Sequence, residues 1–476
     1  MIPSKPSKPF RNTGIAKVPV NRLVSHCSNE SFRAASATPP SEPARKLARQ
    51  APIYRIPPEI LGEIFLACLP DEAEGMYTNP SIRKAPMLLC TVCGTWRDIA
   101  VSMPALWTAF SGSMCRTKPN HLPLLQLWLE RSRDHSLSFH LYSMPEFEPL
   151  DLLFAQIHRW GDVSVSLDSE ITRRLSAIQP NSAPLLKRIE FAHHQHFRAD
   201  NHELTLALAG LPTLRFLAWH DVIPNNFTQF LWPNLTHLVI GPRLRPDKCL
   251  KLLSCCPRVE YVALRKYSPS LDDISYLPVI TLPELRTLSI RGEDCGQLLC
   301  HLSLPSLLAL DIPKPLDRTS LQGLDTRSGC NIEKLTLNQD NPFPEEELLW
   351  YLKLRCLQSL RSLILGAGMT DAVADHLTWH PNLNGRTQYL PYLTTISWKL
   401  CNTTDGALSR MVASRWHPTQ DSPPSLPASL QRVHLQYLPW DGDDIVQRSF
   451  RSEISLFREL RVQGLQISWD LPFSRY

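Results

Sequence analysis

The feature that most constrains this chain is a short apolar phrase, L-x-x-L-x-L, which returns along the sequence, usually with a proline two residues before its first apolar position. The clearest copies are P-T-L-R-F-L-A-W from Pro212, P-N-L-T-H-L-V-I from Pro233, P-R-V-E-Y-V-A-L from Pro257, P-E-L-R-T-L-S-I from Pro283 and P-S-L-L-A-L-D-I from Pro305. First positions fall at Leu186, Leu214, Leu235, Val259, Leu285, Leu307, Ile332, Leu360, Leu393 and Leu430, with a weaker copy at Phe457. The second and third apolar positions are two residues apart, so both point to one face of a short strand. Stacking such strands from successive units closes a continuous core. With 42 prolines against 18 glycines, the turns between units are expected to be stiff.

Most of the steps between first positions lie in the range of leucine-rich repeats, roughly 20 to 29 residues. The segments R-D-H-S-L-S-F and W-G-D-V-S-V extend the period backwards, so the array is expected to start near Asp134. The Asn/Cys position that follows the strand in the full consensus is filled here by His194, Val222, Arg243, Tyr267 and Glu293, and only Cys401 fits. The fold expected over residues 111–476 is therefore α/β, an irregular leucine-rich-repeat solenoid of parallel strands plus helices. Residues alternating with the core positions should face outward. They include Arg188, Glu190, Phe216, His220, His237, Tyr261, Arg265, Arg291, Asp311, Lys334, Lys399 and Arg432. Cations interleaved with aromatic rings suit an acidic or extended peptide partner. Arg188, Phe216, His237, Tyr261, Arg265, Arg291, Lys334 and Lys399 are the candidates for binding a protein target.

Upstream, residues 51–110 change character. In A-P-I-Y-R-I-P-P-E-I-L-G-E-I-F-L-A-C-L-P, residues Ile56, Ile60, Leu61, Ile64, Phe65 and Cys68 recur at helical spacing. Pro57 and Pro58 sit where a first turn tolerates proline, and Glu59 complements the positive end of the helix dipole. A second run places Leu88, Leu89, Val92, Cys93, Trp96, Ile99 and Ala100 on one stripe of a second helix. Pro104 should stop that helix and let Leu106 and Trp107 fold back on it. So short a helical segment cannot bury all this apolar surface by itself, and some should await a partner.

The order I-P-P-E-I-L-x-E-I-F, then L-C-x-V-C-x-x-W-R-x-I-A, then P-x-L-W resembles the F-box, in the form found in fungal F-box proteins. The resemblance implies docking on the adaptor subunit of an SCF-type cullin–RING ubiquitin ligase, and through it on cullin. The residues it assigns to the adaptor are Pro57, Ile60, Leu61, Ile64, Phe65, Val92 and Trp96. Residues 70–84 make the segment between the helices longer than in a compact F-box, which makes a surface loop the expectation there. Two functions follow: a non-catalytic substrate receptor of the ligase, or an interaction scaffold that uses the same modules outside a ligase.

Chemistry of other kinds finds little footing. Cys90 and Cys93 form C-x-x-C inside an apolar stripe, and Cys255 and Cys256 adjoin at a turn; packing suits both pairs better than metal binding. His193, His194 and His196 have no carboxylate or cysteine nearby to complete a site, and G-A-G at Gly366 to Gly368 lacks the rest of a dinucleotide fingerprint. No hydrolase, metalloprotease or phosphate-loop motif is present, so the chain is expected to be no enzyme and to need no cofactor. Residues 1–50 carry nine Lys/Arg against Glu30 and Glu42 in a Pro/Ser-rich context, as in a disordered leader. With no long apolar run, and with thirteen cysteines in no framework spacing, the expected setting is cytoplasmic or nuclear, without membrane or nucleic-acid partners.

Overall fold

The computed structural model describes residues 52–70, 83–111, 121–141, 148–192, 202–220, 223, 227–270, 274–313, 316–337, 344–366, 369–380, 389–417, 428–437 and 450–470. The basic leader, most of the 70–84 insertion, the histidines at 193, 194 and 196, Val222 and Gly368 lie outside them. The chain forms two compact units, up to Val165 and from Ser166.

In the first unit, α1 (Pro58–Ala67) begins on Pro58, with Glu59 in its first turn. The second apolar run departs from the single helix that its periodicity suggests. Cys93 adopts an extended conformation (φ −160°, ψ 173°) and splits the run into α2 (Leu89–Val92) and α3 (Gly94–Ser102). The Arg97 side chain bridges the break, its Nε donating to the Cys90 carbonyl at 2.9 Å. Along the run, Leu89 and Ala100 are buried, whereas Leu88 and Val92 face outward. Pro104 then opens a tight turn in which Leu106 and Trp107 are buried, with the Trp107 indole donating to the Ala100 carbonyl at 2.8 Å.

Three parallel strands follow, β1 (Ala109–Ser111), β2 (Leu137–Leu141) and β3 (Trp160–Ser166), linked through α4 (His121–Arg131) and α5 (Glu148–Ala155). Parallel strands need such crossovers, because a short turn can only reverse the chain. β1 lies ahead of Asp134, so strand stacking starts earlier than the repeat phrase indicates. Its Phe110 stacks on Phe139 of β2 at 5.3 Å, and Phe139 meets Trp160 of β3 edge-on at 5.1 Å. Arg159 is buried beside them and donates to the carbonyls of His135 and Leu129 and to Ser132 and Gln156.

The second unit carries the repeat. Its strands are β4 (Arg188–Ala192), β5 (Phe216–Trp219), β6 (His237–Leu244), β7 (Tyr261–Tyr267), β8 (Ile280–Thr281), β9 (Thr287–Gly292), β10 (Leu302–Ser303), β11 (Ala309–Ile312), β12 (Lys334–Leu337), β13 (Ser362–Leu365), β14 (Thr395–Cys401), β15 (Arg432–Tyr437) and β16 (Gln466–Asp470). Apart from β8 and β10, which pair with each other, they form one parallel sheet in sequence order. In several units the leading proline has a defined task. The backbone N–H groups of Leu235, Val259, Leu285 and Leu307 bond back to the carbonyls of Trp232, Cys256, Leu282 and Leu304, enclosing Pro233, Pro257, Pro283 and Pro305 at the second position of a turn. Proline holds the φ which that position needs.

One ladder runs Ile189, Leu217, Leu238, Val262, Leu288, Leu310, Leu335, Leu363, Ile396, Val433 and Ile467, all buried. Behind it pack α6 (Ser169–Ser176), α7 (His202–Ala209), α8 (Pro246–Ser254), α9 (Gly296–Leu299), α10 (Arg318–Ser328), α11 (Glu345–Tyr351), α12 (Asp371–Leu377), α13 (Ala407–Ser414) and α14 (Arg451–Val462), with most consecutive helices in contact. Asp168, Asp317 and Thr370 cap α6, α10 and α12 by accepting from the backbone N–H groups of Ile171, Ser320 and Val373. The last unit corrects the sequence reading. Phe457 opens no strand; it lies in α14, and the strand is β16, because the apolar spacing of Ile454, Phe457 and Leu460 is that of a helix face.

At the C-terminal end a buried carboxylate joins three elements. Glu453 of α14 accepts from the Leu408 N–H of α13 at 2.9 Å and from the Tyr437 hydroxyl of β15, while Asp405 accepts from the N–H groups of Ser452 and Glu453. Burial pushes the Glu453 carboxyl above the usual carboxylate range, and Asp405 adds to the push. A carboxyl whose proton is held more tightly folded than unfolded loses stability as pH rises from the ordinary glutamate value through the raised one. Glu453→Gln removes that loss. The stability of Glu453→Gln relative to the natural chain, from urea midpoints across acid to neutral pH, is expected to climb with pH; a flat difference would contradict this reading.

Candidate functional site

Two surfaces gather the residues singled out from the sequence, one in each unit. On the helical segment the seven adaptor candidates divide by burial. Leu61 and Phe65 are 4% and 0% exposed, and the Phe65 ring meets the half-buried Trp96 ring at 4.8 Å. These three side chains build the segment's own core. Pro57 is exposed, and Ile60, Ile64 and Val92 stand 52%, 40% and 54% exposed. Ile53 and Leu88, which the sequence reading did not assign to a partner, are exposed as well. Ile60 with Ile64, and Leu88 with Val92, are four residues apart, so each pair lies on one helix face. Large apolar side chains grouped in this way on the outside of a closed core are the usual mark of an interaction surface.

In the second unit the outward face is organised as rungs. Arg188, Phe216, His237 and Tyr261 are register partners on β4 to β7, so four of the eight target-binding candidates form one unbroken row. Their planar groups stack: the Arg188 guanidinium carbon lies 3.4 Å from the Phe216 ring centre, Phe216 and His237 are 6.0 Å apart, and His237 and Tyr261 5.6 Å. The row continues through Thr287 and Ala309 to Lys334, which is exposed. Arg265 and Arg291 lie further along β7 and β9, each next after a register pair, Leu264 opposite Ile290. Lys399 stands well apart on β14, beyond a register shift, and the structure does not bring it to the row.

The next outward rung explains the rigidity of the stack. Ala218, Val239 and Ala263 are 1%, 6% and 2% exposed although they face away from the main core, because Phe216 and Tyr261 pack over them. A small second core thus sits under the aromatic row. Small residues between the second and third apolar positions of β5 and β7 are its only trace in the sequence. The strands approach closely beside it, where a Cβ on Gly241 would lie 2.6 Å from the His220 Cα, so the position requires glycine.

Two acids of the face, Glu190 and Asp311, are already satisfied. Glu190 meets Arg188 at 3.1 Å and accepts from His220 at 3.0 Å, and the His220 hydrogen bond holds its carboxyl below the usual range. Asp311 accepts from Arg291 at 2.9 Å and from the Ser289 hydroxyl at 3.0 Å. Burial lowers the His237 pKa, so the stacked ring is neutral at physiological pH. Among the described residues, Arg265 and Lys334 have no acidic partner.

Elsewhere, Cys255 and Cys256 are buried and burial raises both thiols, while Cys90 and Cys93 are partly buried. No group of three His, Cys, Asp or Glu among the described residues is placed to hold a metal ion. No helix among them is long and apolar enough to cross a membrane.

No protein-family model matches the chain, and no curated protein matches it. Among solved structures, one described as "Crystal structure of a TDR receptor" is similar over 69% of this chain and 59% of that chain, at 14% identity and a TM-score of 0.27. The chain thus spans less than two thirds of that receptor's length, and the similarity is too low to carry an argument.

Proposed function

We propose that this chain is a substrate-recognition subunit of an SCF-type cullin–RING ubiquitin ligase. The helical segment docks on the adaptor, and the strand face of the second unit binds the protein to be modified. The observation that carries this reading is the exposure of Ile60, Ile64, Leu88 and Val92 outside a core closed by Leu61, Phe65 and Trp96. The order of these residues is what resembles the F-box. The chain itself supplies no catalysis in this account. It would act by proximity, holding target and ubiquitin-loaded partner at high effective concentration.

Proximity labelling with the intact chain, against a chain lacking residues 51–110, tests the proposal. Adaptor and cullin should be labelled by the first and lost from the second, with target proteins kept by both. Absence of adaptor and cullin from both samples would favour a scaffold that works outside a ligase.

A further inference from the structure

The row of stacked groups on the strand face ends abruptly, and its end has a chemistry of its own. Rings occupy the same register position on three successive strands, and strands stand roughly 4.8 Å apart. Each ring therefore has a neighbour about one strand away, until Tyr261. On its far side come Thr287 and Ala309, side chains too small to cover a ring, and then exposed Lys334. Among the described residues the one ring contact of Tyr261 is with His237, so no ring stacks on its other side. The small core of Ala218, Val239 and Ala263 beneath Phe216 and Tyr261 holds the last ring in place before anything binds. Two cations flank this end, Arg265 on the same strand as Tyr261 and Lys334 at the next tall position of the row. Neither has an acidic partner among the described residues, whereas Glu190 and Asp311 are engaged with other groups.

Resting on the reading of this face as the target-binding one, we infer that the target is held through an extended acidic segment bearing an aromatic side chain. The aromatic ring continues the stack on Tyr261, above Thr287 and Ala309, and carboxylates on either side of it meet Arg265 and Lys334. A ring laid on a ring with its quadrupole matched contributes beyond the area it buries, and unpaired cations at both ends fix the direction of charge. Single-stranded nucleic acid also stacks on rings, but it needs a continuous basic track for its phosphates. Here Glu190 and Asp311 interrupt the basic residues, which favours a peptide.

Panning a randomised peptide library on the purified full chain tests this, with Tyr261→Ser and Lys334→Glu variants alongside and adaptor binding measured on each. Enriched peptides are expected to carry an aromatic residue flanked by Asp or Glu. Each variant should weaken them about tenfold, with the Lys334 effect fading as salt rises and adaptor binding unchanged. No enrichment, enrichment of basic or purely aliphatic peptides, acid–aromatic peptides that bind both variants undiminished, or tighter binding of a single-stranded oligonucleotide would each overturn the inference. If acid–aromatic peptides bind while adaptor does not, this site stands and the ligase reading falls.

Discussion

Replacing Arg415 by methionine is expected to cost roughly 3–5 kcal/mol of stability, because it removes three hydrogen bonds and leaves the Leu377 and Tyr389 carbonyls without this donor, Leu390 keeping only the Leu393 N–H. Arg415 is 1% exposed, and no carboxylate among the described residues pairs with it. Its Nε donates to the Leu377 carbonyl at 2.6 Å, and its two terminal nitrogens donate to Leu390 at 2.9 Å and Tyr389 at 2.7 Å. Leu377 ends α12, where the last turn leaves carbonyls with no partner in the helix. Leu390 has a φ of 52°, so its carbonyl is turned by a backbone conformation that leucine rarely adopts. Burial lowers the guanidinium pKa to about 10, which still leaves the group charged at neutral pH. A fork of donors in fixed directions suits three carbonyls, and the single ammonium of lysine does not. Arg415→Lys should therefore recover only part of the loss. Urea midpoints give the size, and hydrogen exchange should place the opening in residues 369–380 and 389–417. A midpoint shift under about 1 kcal/mol would remove the strut from the account.

The second large effect concerns the helical segment. Ile60→Lys with Ile64→Lys is expected to abolish capture of adaptor and cullin while leaving the thermal unfolding of the chain unaltered. Each isoleucine would bury the exposed half of its side chain in the partner, a gain of roughly 0.7–1.5 kcal/mol. Putting an ammonium there instead adds the cost of burying an unpaired charge. Together these amount to a loss of at least about a hundredfold in affinity. The companion substitutions Leu61→Lys and Phe65→Lys should behave differently, lowering adaptor capture and stability together. Truncating a fully buried phenylalanine already costs roughly 3–5 kcal/mol, and Phe65 is the ring against which Trp96 rests.

That contrast shows where the sequence was legible. Apolar spacing of three and four in 56–68 is enough to make a helix, but it cannot say which half of the stripe closes its own core. Leu61 and Ile60 read alike as letters, and only the position of Trp96 decides between them. The break at Cys93 was hidden for the same reason, since a helical stripe and a broken one share their first turns. The clearest strand phrases were readable because three constraints coincide in them: a proline that sets a turn, an apolar residue after it, and alternation along the strand. Phe457 satisfied one of the three and proved to be helical. The buried Arg415, Glu453 and Arg159 gave no sequence signal, because a charged residue becomes a strut only through backbone groups brought from distant units. The row Arg188, Phe216, His237 and Tyr261 was readable as outward residues. Its stacking, and the point at which the stack ends, depend on register across strands about 21 to 28 residues apart in sequence.

The most direct measurement is a calorimetric titration of purified adaptor subunit into the purified chain and into the Ile60→Lys, Ile64→Lys variant. The account predicts saturable binding to the natural chain and none to a variant that melts at the same temperature. No binding to the natural chain, or equal binding to both, would contradict it.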